Sequence, residues 1–584
     1  MSEAPDEARR AERGSKLLVV ALVGIFLFGM FGFAIAAFDS QNEPIPTEPP
    51  APSLPALPAL APGTSERGPD PTAQAGARRF LLAVAEIEPS PAASAPPAPA
   101  TSPPPDSAPI DAAEAGVPTT MPVVPVTGFW SKREGLKRRA VIDALVEGRG
   151  DGFKRVVVEK RITEPLAAAL GIELHPDVRA LGPERLSRAV RKGALGVVAA
   201  TSVRPSLRAL AVSGESLTGV DRVKRIDDWP LSVELELAPE AGWDHSRTWV
   251  LVAAGDSFTD RGVYDTVVRK GKGVDYPFSG GTAEVTGFGC CDPVFNDNIV
   301  PRYKLTGNKG VVRRLFRRAD LAVANHEQPV TESATFHSSG TRFSGKPALT
   351  RIFTRAGIDF LSLANNHIGD YGADGIRDSR RILRDYGIAF GGAGKDLKQA
   401  RVVDLLDARG TQVAIIPCLD IVKVYWAGEA KAGATPCVDQ YIRKDIRKAR
   451  RAGADVVIVF PHWGVEYTRQ PLASMRKHAR RWVEAGADLV IGAHSHVAGA
   501  MEEIYGAPVL YSLGNLVFDQ HWSTDTMESA LLEATFVGDR LIELRLRPYI
   551  IHDTSQPNFL DPAKGEGRRL LLEMKQASSD WLDW

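Results

Sequence analysis

The stretch Asp488-Leu-Val-Ile-Gly-Ala-His-Ser-His496 decides how this chain is read. A short apolar run is followed by glycine and then by two imidazoles. Four other stretches have the same form: Trp249-Val-Leu-Val-Ala-Ala-Gly-Asp256, Leu321-Ala-Val-Ala-Asn-His-Glu327, Asp359-Phe-Leu-Ser-Leu-Ala-Asn-Asn-His367 and Asp455-Val-Val-Ile-Val-Phe-Pro-His462. Short runs of this kind, rich in Val, Ile, Leu and Ala, suit strands of a sheet buried on both faces. Between them lie segments that read as helices: 310–318, 347–356, 375–386 with Gly387 as its stop, 439–452 and 472–485. Val402 to Leu406 and Gln412 to Cys418 read as a hairpin about Arg409-Gly410. The alternation predicts an α/β fold with a largely parallel sheet, helices covering it, and some antiparallel strands.

Each of the five runs ends in Asp, Glu, Asn or His. In open α/β sheets, ligands bind beyond the carboxyl ends of the strands, so these residues can meet despite their separation in sequence. Carboxylates, imidazoles and an amide suit Zn, Mn or Fe, and thiols are absent from the set. Of the eleven histidines, His326, His367, His462, His494 and His496 sit at these ends. Taken singly, each residue has a plain structural reading. Asp256, Asn325 and Asn365 suit turns, and His462 suits a packed, hydrogen-bonded position. His494-x-His496 is the strongest piece, because on an extended backbone the two rings face the same side.

In this order, Gly255-Asp256, Asn325-x-Glu327, Leu363-Ala-Asn-Asn-His367, Pro461-His-Trp-Gly-Val-Glu466, Gly492-Ala-His-Ser-His496 and Tyr511-Ser-Leu-Gly-Asn-Leu-Val-Phe-Asp519 resemble the CapA family, the bacterial poly-γ-glutamate capsule synthesis proteins. The resemblance runs over residues 248–560. That family is similar to the calcineurin-like metallophosphoesterases, which implies a four-layer sandwich with a dinuclear metal site. By position it implies one or two divalent ions (Mn, Zn or Fe) on Asp256, Glu327, Asn366, His462, His494 and His496, with His367 catalytic. One ion would take Glu327, Asn366, His462 and His494, and the other Asp256, Glu327 and His496. The phosphoesterase motif Asp-x-His has Phe258 in its third position here, which leaves the second ion short of a ligand. Arg261, near Asp256, reads either as a catalytic contact to an anionic substrate or as a solvated surface arginine. His326 matches no ligand position and should point away from the site. The implied function is metal-dependent hydrolysis in poly-γ-glutamate synthesis or export, with the polymer and capsule synthase subunits as partners. The rival class is a non-catalytic polymer-binding or synthase-partner protein with a structural metal site.

The rest of the 584 residues adds location. Lys plus Arg and Asp plus Glu are both 71, which excludes a generally basic nucleic-acid coat, and no nucleic-acid partner is expected. Residues 17–38 carry no charge, and Arg9, Arg10, Arg13 and Lys16 precede them. They read as a single membrane-spanning helix with residues 1–16 cytoplasmic and the bulk of the chain outside, a cleaved signal peptide being the alternative. More than half of the 42 prolines fall at or before Pro125, so 39–125 reads as a disordered spacer. A small α/β module is expected over 126–245, the main domain over 246–560 and a tail over 561–584. Cys418 and Cys437 can pair, and Cys290 or Cys291 can equally pair with either.

Overall fold

The computed structural model describes residues 117–238, 241–289, 299–580, 582 and 584. The expected membrane span, most of the spacer, Cys290, Cys291 and Trp581 lie outside them. Among the described residues no helix is long and apolar enough to cross a membrane.

The central strand of the main domain is Thr248–Ser257, buried along its whole length. Leu321–His326, Phe360–Ser362 and Ala389–Gly391 follow it in parallel on one side. Glu528–Val537 and Arg540–His552 extend the sheet antiparallel on the other. Gln556–Phe559, Thr282–Gly289 and Val300–Gly307 complete that edge, and Asn515–Val517 joins the carboxyl end of the central strand, giving ten strands in all. A second sheet of six strands runs Leu405–Ala408, Thr411–Leu419, Val456–His462, Leu489–Ile491, Ala507–Leu510 and Met501–Ile504.

Side-chain alternation along the strands explains why the sheets stack. Trp249, Leu251 and Ala253 face Ile415, Ile458 and Ile491 of the other sheet in one core. Val250, Val252 and Ala254 face the opposite way, against Phe316, Phe353 and Leu383 of covering helices. On the far side Val457, Val459 and Val490 pack against Ile442, Ile446 and Trp482 of two more helices. The order is helices, sheet, sheet, helices. The hairpin turns on Arg409 and Gly410, both at positive φ (56° and 83°), the geometry that matches strand twist in a two-residue turn. Cys418 and Cys437 form a disulfide.

Two expected boundaries are corrected. The spacer does not reach residue 125, because Val117–Gly128 is a strand at the centre of the N-terminal sheet. Its prolines concealed it. The Val123 N–H bonds the Leu231 carbonyl, so Pro118 and Pro122, on alternate positions, lack an N–H only on the side where the strand has no partner there. The segment after 560 is not merely a tail either. Helix Gly565–Ala577 buries Leu570, Leu571 and Met574 in the core between the sheets. The Trp584 indole bonds Glu503 (2.7 Å) and packs edge-on against Phe129.

The N-terminal module docks on the antiparallel strands Glu528–Val537 and Arg540–His552 of the main domain. Glu533, fully buried, accepts the Val220 N–H (2.6 Å) and pairs with Arg547 (2.5 Å). Glu543 accepts the Ala209 N–H (2.8 Å), and Arg545 donates to the Ala209 carbonyl (3.1 Å) and Thr218 (3.0 Å). Glu533→Ala strands the buried Val220 N–H and the Arg547 guanidinium, and should lower stability by about 3 kcal/mol. A denaturant midpoint equal to that of the parent would refute the clamp.

Candidate metal centre

The site begins where the central strand ends. A Cβ at Gly255 would lie 1.9 Å from the Gly514 carbonyl oxygen, so only glycine lets the segment after Tyr511 cross the strand there. The Asp256 N–H then donates to Gly514 (2.9 Å). These contacts give Gly255-Asp256 and Tyr511-Ser-Leu-Gly-Asn a shared structural purpose. Glu327 extends the neighbouring strand end, its N–H on the Ser257 carbonyl (2.8 Å).

The structure brings Asp256, Glu327, Asn366, His462, His494 and His496 together. His462 Nε2 lies 2.7 Å from Asn366 Oδ1 and 3.5 Å from Glu327 Oε1. The His496 ring lies 3.5 Å from Asp256 Oδ2 through Nδ1 and 3.9 Å from Glu327 Oε1 through Nε2. One donor atom each from Glu327, His462 and His494 falls within 4.8 Å of the others, and the same holds for Asp256, Glu327 and His496. Glu327 belongs to both sets. All five of these side chains are buried, while Asn366 and His367 are half-buried and form the open side.

The two late histidines converge for a reason other than strand alternation. His494 and His496 stand at φ 100° and 59°, a left-handed bend and not extended backbone. Such positions cost about 1–3 kcal/mol each and persist where surroundings enforce them. Here the His494 N–H reaches Asp256 Oδ2 (2.9 Å), and Asn515 Oδ1 holds His496 Nδ1 (2.8 Å).

The electrostatics fit a cation. Burial, reinforced by the Asp256 and Glu466 charges, raises the Glu327 carboxyl well above its ordinary range. Burial also pushes Asp256 up to about 7, against the His494 N–H and the Asn325 amide that favour its charged form. Burial holds His494 and His496 down to about 3 and His462 well below its usual value, so all three imidazoles are neutral and their lone pairs available. Both Glu327 oxygens and His494 Nδ1 are buried without a hydrogen-bond partner. An unpaired buried carboxylate costs several kcal/mol, and a divalent ion among these oxygen and nitrogen donors removes that cost.

Around this set, His367 is oriented by Asp370 (Nδ1 to Oδ2, 3.0 Å) and packs at a tilt against Phe343. The expectation that Arg261 is a solvated surface residue is corrected. Its side chain is 12% exposed and pairs with Asp519 (2.5 Å). Its guanidinium lies over Phe258 and Phe343, and its buried Nε has no partner. Phe258 stacks on Phe518 (4.1 Å) and supplies no donor. His326 points the other way, edge-on to Phe353. Sequence reasoning missed Asn325, which donates to Asp256 (2.8 Å), and Asn515, Asp370 and Asp519. All four lie inside or beside the quoted motifs, the only signal that marked them.

Comparison with known proteins covers the segment that carries the site. The model of the bacterial capsule synthesis protein family PGA_cap matches residues 250–520. The capsule biosynthesis protein CapA of Bacillus anthracis is 32% identical over 246 residues, 40% of this chain and 59% of that protein. The PGA biosynthesis protein CapA of Bacillus subtilis is 30% identical over 271 residues, 44% of this chain and 71% of that protein. Among solved structures, a calcineurin-like phosphoesterase of Bacillus subtilis, YfkN, aligns at 13% identity and TM-score 0.29, covering 57% of this chain and 97% of that one. A 5′-nucleotidase precursor of Thermus thermophilus aligns at 15% identity and TM-score 0.32, covering 56% of this chain and 58% of that one.

Metal titration of the chelated, reloaded protein tests the donor set. His494→Ala should abolish stoichiometric binding on its side of Glu327. Asn515→Ala, which removes the group orienting His496, should weaken binding by about 10–100-fold. His326→Ala should leave metal content unchanged, and unchanged content in His494→Ala would exclude the site.

Proposed function

This chain belongs to the bacterial capsule synthesis protein family PGA_cap, and from that premise we propose that it acts in the synthesis or export of a poly-γ-glutamate capsule as a metal-dependent hydrolase. The observation that carries the reading is Glu327, buried with two unpartnered oxygens between the Asn366/His462/His494 and Asp256/His496 sets. The charge-free segment 17–38 behind a basic N-terminus supports a single-pass anchor in the cell membrane, with the site on the outer side. Capsule synthase subunits and the polymer are the partners this reading assigns.

A divalent ion bound there supplies Lewis-acid activation of water and stabilises negative charge on the reacting centre. The chain's own groups do the rest. In hydrolysis, water gives its oxygen to the electrophilic phosphorus or carbonyl carbon, the bond to the leaving group breaks, and the leaving atom takes a proton. His367, fixed through Nδ1 by Asp370, presents Nε2 for that proton transfer. Arg261, held by Asp519, places a fixed positive charge beside the site that favours an anionic substrate. The buried histidines and Phe518 keep bulk water from the inner side.

Phe258 favours a second reading. It leaves Asp256, Glu327 and His496 with three donors, so the set can hold a structural ion in a protein that binds polymer without cleaving it.

Assays of phosphodiester and γ-glutamyl substrates with added Mn²⁺ separate the two. On the hydrolase reading, His367→Ala lowers kcat by about 10²–10⁴-fold with little change in KM. Metal-loaded protein inert on both substrate classes would favour the non-catalytic reading.

A further inference from the structure

The N-terminal sheet carries a cavity of about 610 Å³, far from the metal centre in sequence and outside the matched residues 250–520. It lies where the parallel strands Val156–Glu159, Arg179–Leu181 and Leu195–Ala199 begin. Val156 and Val157 give it an apolar floor, and Arg149, Lys154, Arg155 and Arg179 give it a cationic wall. All four cations are exposed, and none has a side-chain hydrogen bond or ion pair among the described residues.

Elsewhere in the module Arg133 pairs with Asp151, Arg161 with Glu159 and Arg204 with Glu184. Glu147 and Asp177 also line the cavity, but Asp177 is shared with His175 (3.7 Å), so permanent cations outnumber carboxylates by four to two. In a chain with 71 cationic and 71 anionic side chains, this excess is local. Like charges closer than a Debye length of about 8–10 Å repel, and an anionic ligand removes that repulsion.

We propose that this cavity binds a run of carboxylates on an acyclic polyanion, such as a glutamate polymer presents. The choice of that polymer rests on the proposed function, whereas the cationic cavity is independent of the metal centre. Guanidinium groups take carboxylates in a two-pronged fashion. Several modest contacts along one chain reinforce each other through effective concentration. The Glu533 and Glu543 clamp fixes the module to the main domain, so polymer held in the cavity is tethered to the body that carries the metal centre.

The test is binding of poly-γ-glutamate to the full chain, measured by calorimetry at low and high salt. Arg155→Glu/Arg179→Glu should weaken binding by at least about tenfold. Lys444→Glu/Arg447→Glu, on the exposed face of helix Asp439–Arg451, should leave it within about twofold. Equal affinity in the cavity variant and the parent overturns the proposal. So does an equal loss in the Lys444/Arg447 variant, or tighter binding of single-stranded DNA of matched charge. Because metal titration of His494→Ala reports the metal centre and polymer affinity of the Arg155/Arg179 variant reports the cavity, failure of one reading is distinguishable from failure of the other.

Discussion

A carboxylate sealed from water with nothing to bond is the constraint around which the main domain is arranged. Glu327 is carried into the interior by the sheet itself, since its N–H continues the ladder onto Ser257. Its oxygens meet no donor from the chain, although Asn325 and the His494 N–H both serve Asp256 a few ångströms away. Burying two acidic side chains side by side is unfavourable by desolvation and by mutual repulsion. Neutral imidazoles do not relieve it. The arrangement becomes favourable when a cation shares these donors, which ties the stability of the sheet ends to ligand occupancy.

The same constraint explains which parts of the site were legible in the sequence. Residues that end strands stand out, because an apolar run stops on a polar side chain; Asp256, Glu327, His462 and His494 were visible for that reason. The groups that orient them were not. Asn515 reaches His496 from a segment crossing the strand end, and Asp519 meets Arg261 across 258 residues. Neither pairing has any local periodicity. The backbone at His494 and His496 was misread for a related reason. An H-x-H pair looks extended when only spacing is considered, and the left-handed bend is imposed by contacts that form after folding.

Continuous apolar runs and the helices between them predicted the mixed α/β architecture, and the stacking of two sheets follows from which alternate residues are large and apolar. Val117–Gly128 escaped because local composition argued against a strand, and only the register with its neighbours shows that Pro118 and Pro122 cost no hydrogen bond. Helix Gly565–Ala577 escaped because its core partners are distant in sequence.

Phe258 and Arg261 show how the two sides of Glu327 differ. On one side, Asn366, His462 and His494 surround it. On the other, the position that would hold a further imidazole is an aromatic ring, stacked between Phe518 and the Arg261 guanidinium. That ring cannot donate a lone pair, but it fixes a permanent positive charge by cation–π contact, and Asp519 fixes the same charge by an ion pair. The Arg261 charge acts on both Glu327, favouring its ionised form, and His496, favouring its neutral form. Those are the two effects a bound cation has on its ligands. A fixed guanidinium thus offsets part of the electrostatic deficit on the side of the site where the chain offers fewer donors, and it does so without occupying the coordination space between Asp256 and His496.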